Sequence, residues 1–370
     1  MYFMMKFNLN KIILITGGFD HIDAYKFLKK NNIDVIVFDD DPNCYLKKKF
    51  KNIKIKPIKN NIKLIKYLKI FCWSPCSDLG SSLADRINKK NSFPIRSINM
   101  NLKFDKLSQK KYLIKNKILT PKLAKFKKGK TIIKHIHGSG SKNIYLNFVD
   151  SKKYYCEELI EGIEISVDTI TFDTNHQILM TSYRDLENYK SACSIIPVPF
   201  LMKNKNLNNA IISLLNSLNI IGGVCHLEFI LKDNNFFLID ANIRCGGFGV
   251  TSHLLKKIKG QNLFKLDLLS LFSKKIKINH NSMNACLVYT RKNSVKIKNI
   301  KFKNSTNAKI INLDINQNPS SVEITDSTRK QIICIFSKSN RELLKEIKKY
   351  YFTDHYKNLI KNINYLSLVK

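Results

Sequence analysis

Between His226 and Gly249 the chain reads HLEFILKDNNFFLIDANIRCGGFG, and its polar residues fall at spacings that can do chemistry. Two apolar runs flank the turn formers Asp233, Asn234 and Asn235, a pattern that predicts an antiparallel hairpin. Alternation along the second strand puts Asp240, Asn242 and Arg244 on one face, and pairing brings Glu228 alongside them. Carboxylate and amide oxygens are hard donors that suit Mg²⁺, with Mn²⁺ able to replace it, and Mg²⁺ commonly reaches a protein through one or two carboxylates plus the phosphates of a nucleotide. An arginine beside them can hold a carboxylate or a transferring phosphoryl group through two parallel hydrogen bonds. The same residues would also suit a solvated strand face, so the rest of the chain has to decide.

The chain has 370 residues, 44% of them hydrophobic, which is enough for two or three domains with cores of their own. A net charge of +36 and a pI near 9.8 raise a second reading, a basic nucleic-acid-binding protein without enzymatic activity. Lysine, however, runs from residue 6 to residue 370 among abundant asparagine and isoleucine, which is a compositional bias rather than a patch with interleaved aromatics. Against that background the seven arginines, at 86, 96, 184, 244, 291, 329 and 341, mark positions where a planar fork matters. Nine cysteines without a metal-site spacing point to reduced thiols in a cytoplasmic protein; Cys72 and Cys76 lack the second pair that a zinc site needs. The first residues are too briefly apolar for a signal peptide, and no run approaches the ~20 residues of a membrane helix. Histidines 135, 137, 226 and 253 read as surface or packing residues.

The elements that must position the hairpin follow from the rest of the sequence. KIILI at 11–15, a helix through 23–30 and a second strand at 34–39 form a β-α-β start, extended by a weaker strand near 52–58 and a helix near 62–69. The loop TGGFDH lacks the G-x-G-x-x-G spacing, which disfavours a dinucleotide-dependent oxidoreductase. CWSPCSDLGSSLAD at 72–85 can cap and begin a further helix. A new unit starts at Asn101, with Phe104, Leu107, Ile114 and Ile118 on one helical face and Lys106 in the first turn, before Thr120-Pro121 ends the helix. A strand at 130–134 leads into Gly138, Ser139, Gly140 and Ser141, a loop rich in backbone N–H groups of the kind that can close over phosphates, or a plain turn. Strands at 142–148 and 163–171 bracket YYCEELI at 154–160. Arg184, in SYRDLENY, reads equally as a substrate-binding or a surface arginine.

Lys106 after an Asp-Lys step, Lys134 before a Gly/Ser loop, the run EELIEGIEISVD, and HLEF followed by DANIRCGG together resemble the ordered motifs of the ATP-grasp superfamily, in its carboxylate-amine and amino-acid ligase branch. The resemblance spans about residues 10 to 350. It implies an α/β (α+β) class: a Rossmann-like pre-ATP-grasp domain at 1–100, an ATP-grasp domain at 101–275 with its lid at about 121–165, and a C-terminal subdomain at 276–370. It also implies ATP and Mg²⁺ as cofactors, small carboxylate and amine substrates, and an amide or peptide bond made through an acyl phosphate. Carried over, Lys106 and Lys134 would contact ATP phosphates under a lid of Gly138, Ser139, Gly140 and Ser141. Glu157 with the backbone of Glu158, Leu159 and Ile160 would read adenine, and Glu164 would accept ribose hydroxyls. Glu228, Asp240 and Asn242 would hold the metal, and Arg244 would bind the γ-phosphate or the acyl phosphate.

Three departures from the family pattern carry expectations. Asp240 stands where a longer glutamate is usual. The segment from Pro121 to Glu157 is too short for the helices that normally flank the lid strands, so the lid is trimmed and a second copy in a homodimer can cover its sheet. After Arg244 the chain reads CGGFGVTSHLLKKIKG, not the Gln-Val-Glu-His of biotin carboxylases, which removes bicarbonate chemistry on biotin. Strands at 284–289, 308–313 and 331–337 and a helix at 340–350 resemble the C-terminal subdomain of amino-acid and dipeptide ligases.

Overall fold

The apolar run Lys11–Ile15 buries four of its five residues and forms β1, one of the two inner strands of a small parallel sheet. This is a computed structural model, which describes residues 9–99, 105–137, 144–147, 152–187, 192–272, 276–279, 283–291, 296–298, 308–312 and 329–369. β1 pairs in parallel with β2 (Asp34–Phe38) and β4 (Cys72–Trp73), and β2 with β3 (Ile55–Lys56), giving the order β3-β2-β1-β4. Helices α1 (His21–Lys30), α2 (Tyr45–Lys49), α3 (Ile58–Tyr67) and α4 (Asp78–Lys90) connect and flank these strands. The segment 72–85 therefore opens with a short strand that the sequence reading missed, and only then is α4 capped, by Ser77 accepting the Gly80 N–H. Chain order reverses between β1 and β4, so the loops after them, at 16–20 and 74–77, border the crevice where open α/β sheets bind ligands.

An eight-stranded sheet forms the body of the molecule, in the order β12-β11-β8-β9-β10-β13-β15-β14. Its strands are β8 (Ile163–Phe172), β9 (Asn175–Leu186), β10 (Ala192–Pro197), β11 (Gly222–Lys232), β12 (Asn235–Asn242), β13 (Asn284–Arg291), β14 (Ala308–Asn312) and β15 (Arg329–Ser337), all paired antiparallel. The three C-terminal strands thus extend the sheet that carries the hairpin instead of building another.

One face of this sheet buries Leu227, Phe229, Leu238 and Ile333 against Ile211 and Leu214, then Leu343, Ile347 and Leu359. Those partners come from helices Lys205–Ser217, Asn340–Lys348 and Thr353–Leu368, the first and last of which the sequence reading did not find. The opposite face shares a core with the parallel sheet, where Ile12, Leu14, Leu28 and Trp73 meet Ile170, Val224, Leu263 and Leu287. A buried ion pair crosses this junction. Asp267 receives both Arg96 guanidinium nitrogens, the Trp73 indole N–H at 2.8 Å and the Val224 N–H at 2.8 Å, so each buried polar group there has a partner.

The lid strands form a separate three-stranded sheet, β6-β5-β7, from β5 (Thr131–His135), β6 (Ile144–Tyr145) and β7 (Tyr154–Glu158). Among the described residues no helix lies between β5 and β7, in line with a short lid. Residues 138–141, the expected phosphate loop, lie outside the described residues. The helix expected from Asn101 runs Lys106–Lys115, with Asp105 capping the Ser108 N–H. Its inner face corrects the sequence reading. Gln109, Lys110 and Leu113 are buried while Ile114 is 43% exposed, because this helix turns polar groups toward a charged site instead of apolar ones toward a core.

Candidate active site

The hairpin turn forms as the turn residues require, with Asp233 and Asn234 both left-handed (φ 48° and 59°), the conformation of a two-residue type I′ connection. Register then sets the chemistry, since Glu228 lies directly opposite Asp240, and His226 opposite Asn242. A register shift just after Glu228 marks a bulge beside these carboxylates. Period-two alternation also puts His226 on the face of Glu228, a residue that sequence reasoning had set aside as packing. The same alternation could have found it.

These side chains open into a cavity of about 430 Å³ between the lid sheet, the hairpin and the loops of the parallel sheet. Lys106, Lys134, Glu157, Glu158, Leu159, Ile160, Glu164, Glu228, Asp240, Asn242 and Arg244 all line it, as does Arg184. Every candidate residue that the structure describes is therefore brought to one place. Ile132, Ile144, Ile160, Ile230 and Ile239 give the cavity apolar walls on the lid and hairpin sides. Gly162 is where β8 leaves the hinge, and a Cβ there would stand 2.4 Å from the Leu231 carbonyl, so only glycine lets the two strands approach.

Charge is paired throughout. Lys106 reaches Asp240 at 2.8 Å; burial opposes its charge, but Asp240 and Asp78 raise its pKa above that of an ordinary lysine. Glu157 is 1% exposed and bridges two lysines, Lys134 at 2.5 Å and Lys110 at 2.7 Å. Burial alone would lift its pKa, and the two ammonium groups pull it below the usual range. The Glu157 side chain is thereby held between Lys110 and Lys134. Of the hinge backbone, Glu158 and Leu159 donate to Lys122 and Lys130 carbonyls at 2.9 Å, whereas the Ile160 N–H makes no hydrogen bond among the described residues. Lys110 lies one helical turn from Lys106, and its position four residues on could have signalled a shared face. Burial brings its pKa down to about 8 even with Glu157 beside it.

Around Glu228 the pairing is denser. Arg184 Nη1 lies 2.5 Å and His226 Nε2 3.5 Å from Glu228 Oε1, and Arg184 Nε lies 2.7 Å from Glu164 Oε1. Burial would lift the Glu228 carboxyl, yet Arg184 and His226 hold it well below the usual carboxylate range. Glu164 moves the other way, lifted first by burial and further by the neighbouring Glu228 charge against the pull of Arg184. His226 Nδ1 donates to Asp168 Oδ1 (2.8 Å); burial disfavours its charge, but Asp168 and Glu228 raise it to about 9, so the ring is cationic at neutral pH. Arg244 forks onto Asp78 at the start of α4, Nε at 2.7 Å and Nη2 at 3.1 Å, while Nη2 also donates to Asn242 Oδ1 at 3.0 Å. It thus ties the end of β12 to the parallel-sheet unit as well as lining the cavity.

No group of three or more His, Cys, Asp or Glu side chains poised for a metal occurs among the described residues, the third donor of the expected set being the amide of Asn242. The donors nonetheless fit a hard divalent cation. Two carboxylates face each other across one strand pair with an amide oxygen one step along, and each now rests on a protein cation that a metal could replace.

The far end of the cavity comes from the switch-point loops, which sequence reading did not assign to the site. Gly18, Asp20, His21, Cys76 and Ser77 line it beside Arg244, with Phe19, Phe248 and Tyr289 as aromatic walls. Asp20 accepts from Gly249 N at 3.0 Å and Ser252 Oγ at 2.7 Å, and burial lifts its carboxyl to about 6. Phe248 sits at φ 48°, and Tyr289 donates to its carbonyl at 2.9 Å. These contacts hold a strained residue at the cavity wall.

Comparison with known proteins agrees with this geometry. Residues 104–248 match the family model described as ATP-grasp domain, a span that runs from just before Lys106 to just past Arg244. Among solved structures, an L-amino acid ligase from Bacillus licheniformis superposes with a TM-score of 0.68 at 14% identity, covering 92% of this chain and 96% of that one. N5-carboxyaminoimidazole synthase from Aspergillus clavatus, in complex with ADP and 5-aminoimidazole ribonucleotide, gives 0.66 at 14%, covering 96% and 98%. The biotin carboxylase domain dimer of the Hydrogenobacter thermophilus 2-oxoglutarate carboxylase, with MgADP, ADP and bicarbonate, gives 0.67 at 11%, covering 92% and 90%. No curated protein matches the sequence. The chain has the ATP-grasp fold, and its residues 104–248 match the model of the ATP-grasp domain.

Proposed function

We propose that this protein is an ATP-dependent carboxylate-amine ligase that makes an amide or peptide bond through an acyl phosphate and releases ADP and phosphate. The observation that carries the reading is the convergence of all eleven described candidate residues on one cavity. The neighbours support it: one is an L-amino acid ligase, and others hold ADP, magnesium or ATP. Residues 1–100 would then be the pre-ATP-grasp domain, 101–275 the ATP-grasp domain and 276–370 the subdomain that completes its sheet.

The chemistry follows from the side chains. A substrate carboxylate oxygen attacks the γ-phosphorus and ADP departs; the amine nitrogen then attacks the acyl carbon, phosphate leaves with the bonding electron pair, and the amine loses a proton. No protein nucleophile is required, and catalysis is positioning and electrostatics. Glu228, Asp240 and Asn242 would hold Mg²⁺, which when bound neutralises phosphate oxygens. Lys134, fixed by Glu157, and Lys106 stabilise charge moving onto phosphate oxygens. The apolar walls and the Ile160 N–H receive adenine, and Glu164 receives the ribose hydroxyls. Arg244, aligned by Asp78, faces the acyl phosphate. The loops around Gly18, His21 and Ser77 hold the small substrates.

The same proposal includes a homodimer, in which a second copy covers the lid sheet, and a cytoplasmic setting, in keeping with the absence of any disulfide among the described cysteines and of any helix among the described residues long and apolar enough to cross a membrane. The test is phosphate release from ATP with a panel of amino acids and small carboxylates, with and without Mg²⁺. Release that needs both Mg²⁺ and a panel member, and that disappears in K134A and E228A, is expected. Release unchanged in both variants would overturn the site assignment.

A further inference from the structure

Two acidic residues that the proposed chemistry uses separately, Glu164 and Glu228, share one cation in the structure. Arg184 stands on β9, next to β8, which carries Glu164, and one strand further from β11, which carries Glu228. Its Nε contacts Glu164 at 2.7 Å and its Nη1 contacts Glu228 at 2.5 Å, with the guanidinium side chain 10% exposed. Two carboxylates this close, both withdrawn from water, require a counter-ion between them. A lysine would offer one nitrogen to both, whereas the arginine meets each with a different nitrogen and can release one while keeping the other.

A divalent cation on Glu228 would place its charge where Arg184 Nη1 now sits, and two cations cannot share that carboxylate oxygen without strong repulsion. We propose that Arg184 is an exchangeable counter-ion: it holds Glu228 while the site is empty of nucleotide and yields it to the metal that arrives with the nucleotide, keeping Glu164 through Nε. Asp240 is treated alike, because Lys106, which holds it at 2.8 Å, is drawn off by phosphates. Metal entry is thereby tied to nucleotide entry, and the free protein binds divalent cations weakly. Arg184 is in this sense a positioning residue for the metal platform. The inference rests on the ligase reading given above.

The test is Mn²⁺ titration, read by the electron paramagnetic resonance signal of the free ion, on the wild type, R184Q and E164Q/R184Q, each alone and with ADP. Without nucleotide, both variants are expected to bind Mn²⁺ on the order of tenfold more tightly than the wild type, and with ADP the gap closes. The double variant keeps the net charge of the wild type, so its gain cannot come from a general change in field. It also removes the uncompensated pair of carboxylates and remains the deciding arm where R184Q does not fold. Equal nucleotide-free affinities in the wild type and the folded variants would overturn the role of Arg184. Failure of the wild type to bind Mn²⁺ with ADP at all would instead overturn the ligase reading.

Discussion

Replacing Glu157 by glutamine tests the arrangement of the site without touching a reacting group. Its carboxylate is 1% exposed and is shared by Lys110 and Lys134, themselves 5% and 14% exposed. Removing one partner of a buried ion pair costs roughly 3–5 kcal/mol. Two effects pull the loss toward the low end of that range. Lys134 opens to the cavity, where water screens it, and Lys110, already at about 8 with the carboxylate present, drops further and sheds its proton near neutrality. We expect E157Q to lose about 3 kcal/mol at pH 7. The sign of the pH dependence is fixed by Lys110, whose folded pKa lies below its unfolded value of 10.5. The folded state resists protonating it, the penalty stands in full below the folded pKa, and it is relieved as pH rises from there toward the unfolded value. With the folded pKa lower still in E157Q, relief starts earlier, so the deficit against the wild type narrows between pH 7 and 9. Chemical denaturation at the two pH values measures this, with K110M/E157Q as the companion that removes the stranded lysine and should recover part of the loss. A loss under about 1 kcal/mol, with no recovery in the double variant, would refute the claim that Glu157 is a buried anchor for the two lysines.

Other outcomes follow from the same geometry. D20N keeps an oxygen for Gly249 N and Ser252 Oγ but removes a carboxyl lifted from 3.8 to about 6, a group whose penalty is present above the folded pKa and is relieved as pH falls toward 3.8. Wild-type stability relative to D20N should therefore rise, by up to about 3 kcal/mol, as pH is lowered from 7 to 4 in urea titrations. K106M and K134M should each weaken ATP binding by at least about tenfold in calorimetric titration while the fold persists by circular dichroism. R244K cannot reproduce the fork on Asp78 and should lower turnover on the order of a hundredfold, with a smaller change in ATP affinity. Light scattering should give the mass of a dimer, and a monomer would remove the second copy from the lid sheet.

How far the sequence carries can be judged residue by residue. The hairpin was legible because Asp233-Asn234 can adopt only a few turns and alternation then puts Asp240 and Asn242 on the face of Glu228; the bulge that also turns Ile239 to the cavity was not legible. The lysines were legible through order along the chain. What stayed hidden depends on contacts across long separations. Asp78 finds Arg244 from 166 positions away, and Asp168 finds His226 from 58. The switch-point loops become part of the site only once the parallel sheet shares a core with the large one. The two lysines that Glu157 meets were hidden for the same reason, since Lys110 comes from a helix whose buried face is polar and Lys134 from the neighbouring lid strand. Arg184 was undecided between site and surface because only the strand order β11-β8-β9 brings two carboxylates within its reach.

The claim at the centre of this account is that a carboxylate oxygen takes the γ-phosphoryl group of ATP, and isotope transfer reads that step directly. A carboxylate or amino acid that supports phosphate release would be supplied with ¹⁸O in both carboxyl oxygens, together with ATP, Mg²⁺ and an amine, and the phosphate analysed by mass spectrometry. One ¹⁸O per phosphate released is the result expected. Phosphate carrying oxygen from water alone, while amide is formed, would contradict the acyl phosphate and with it the proposed reaction.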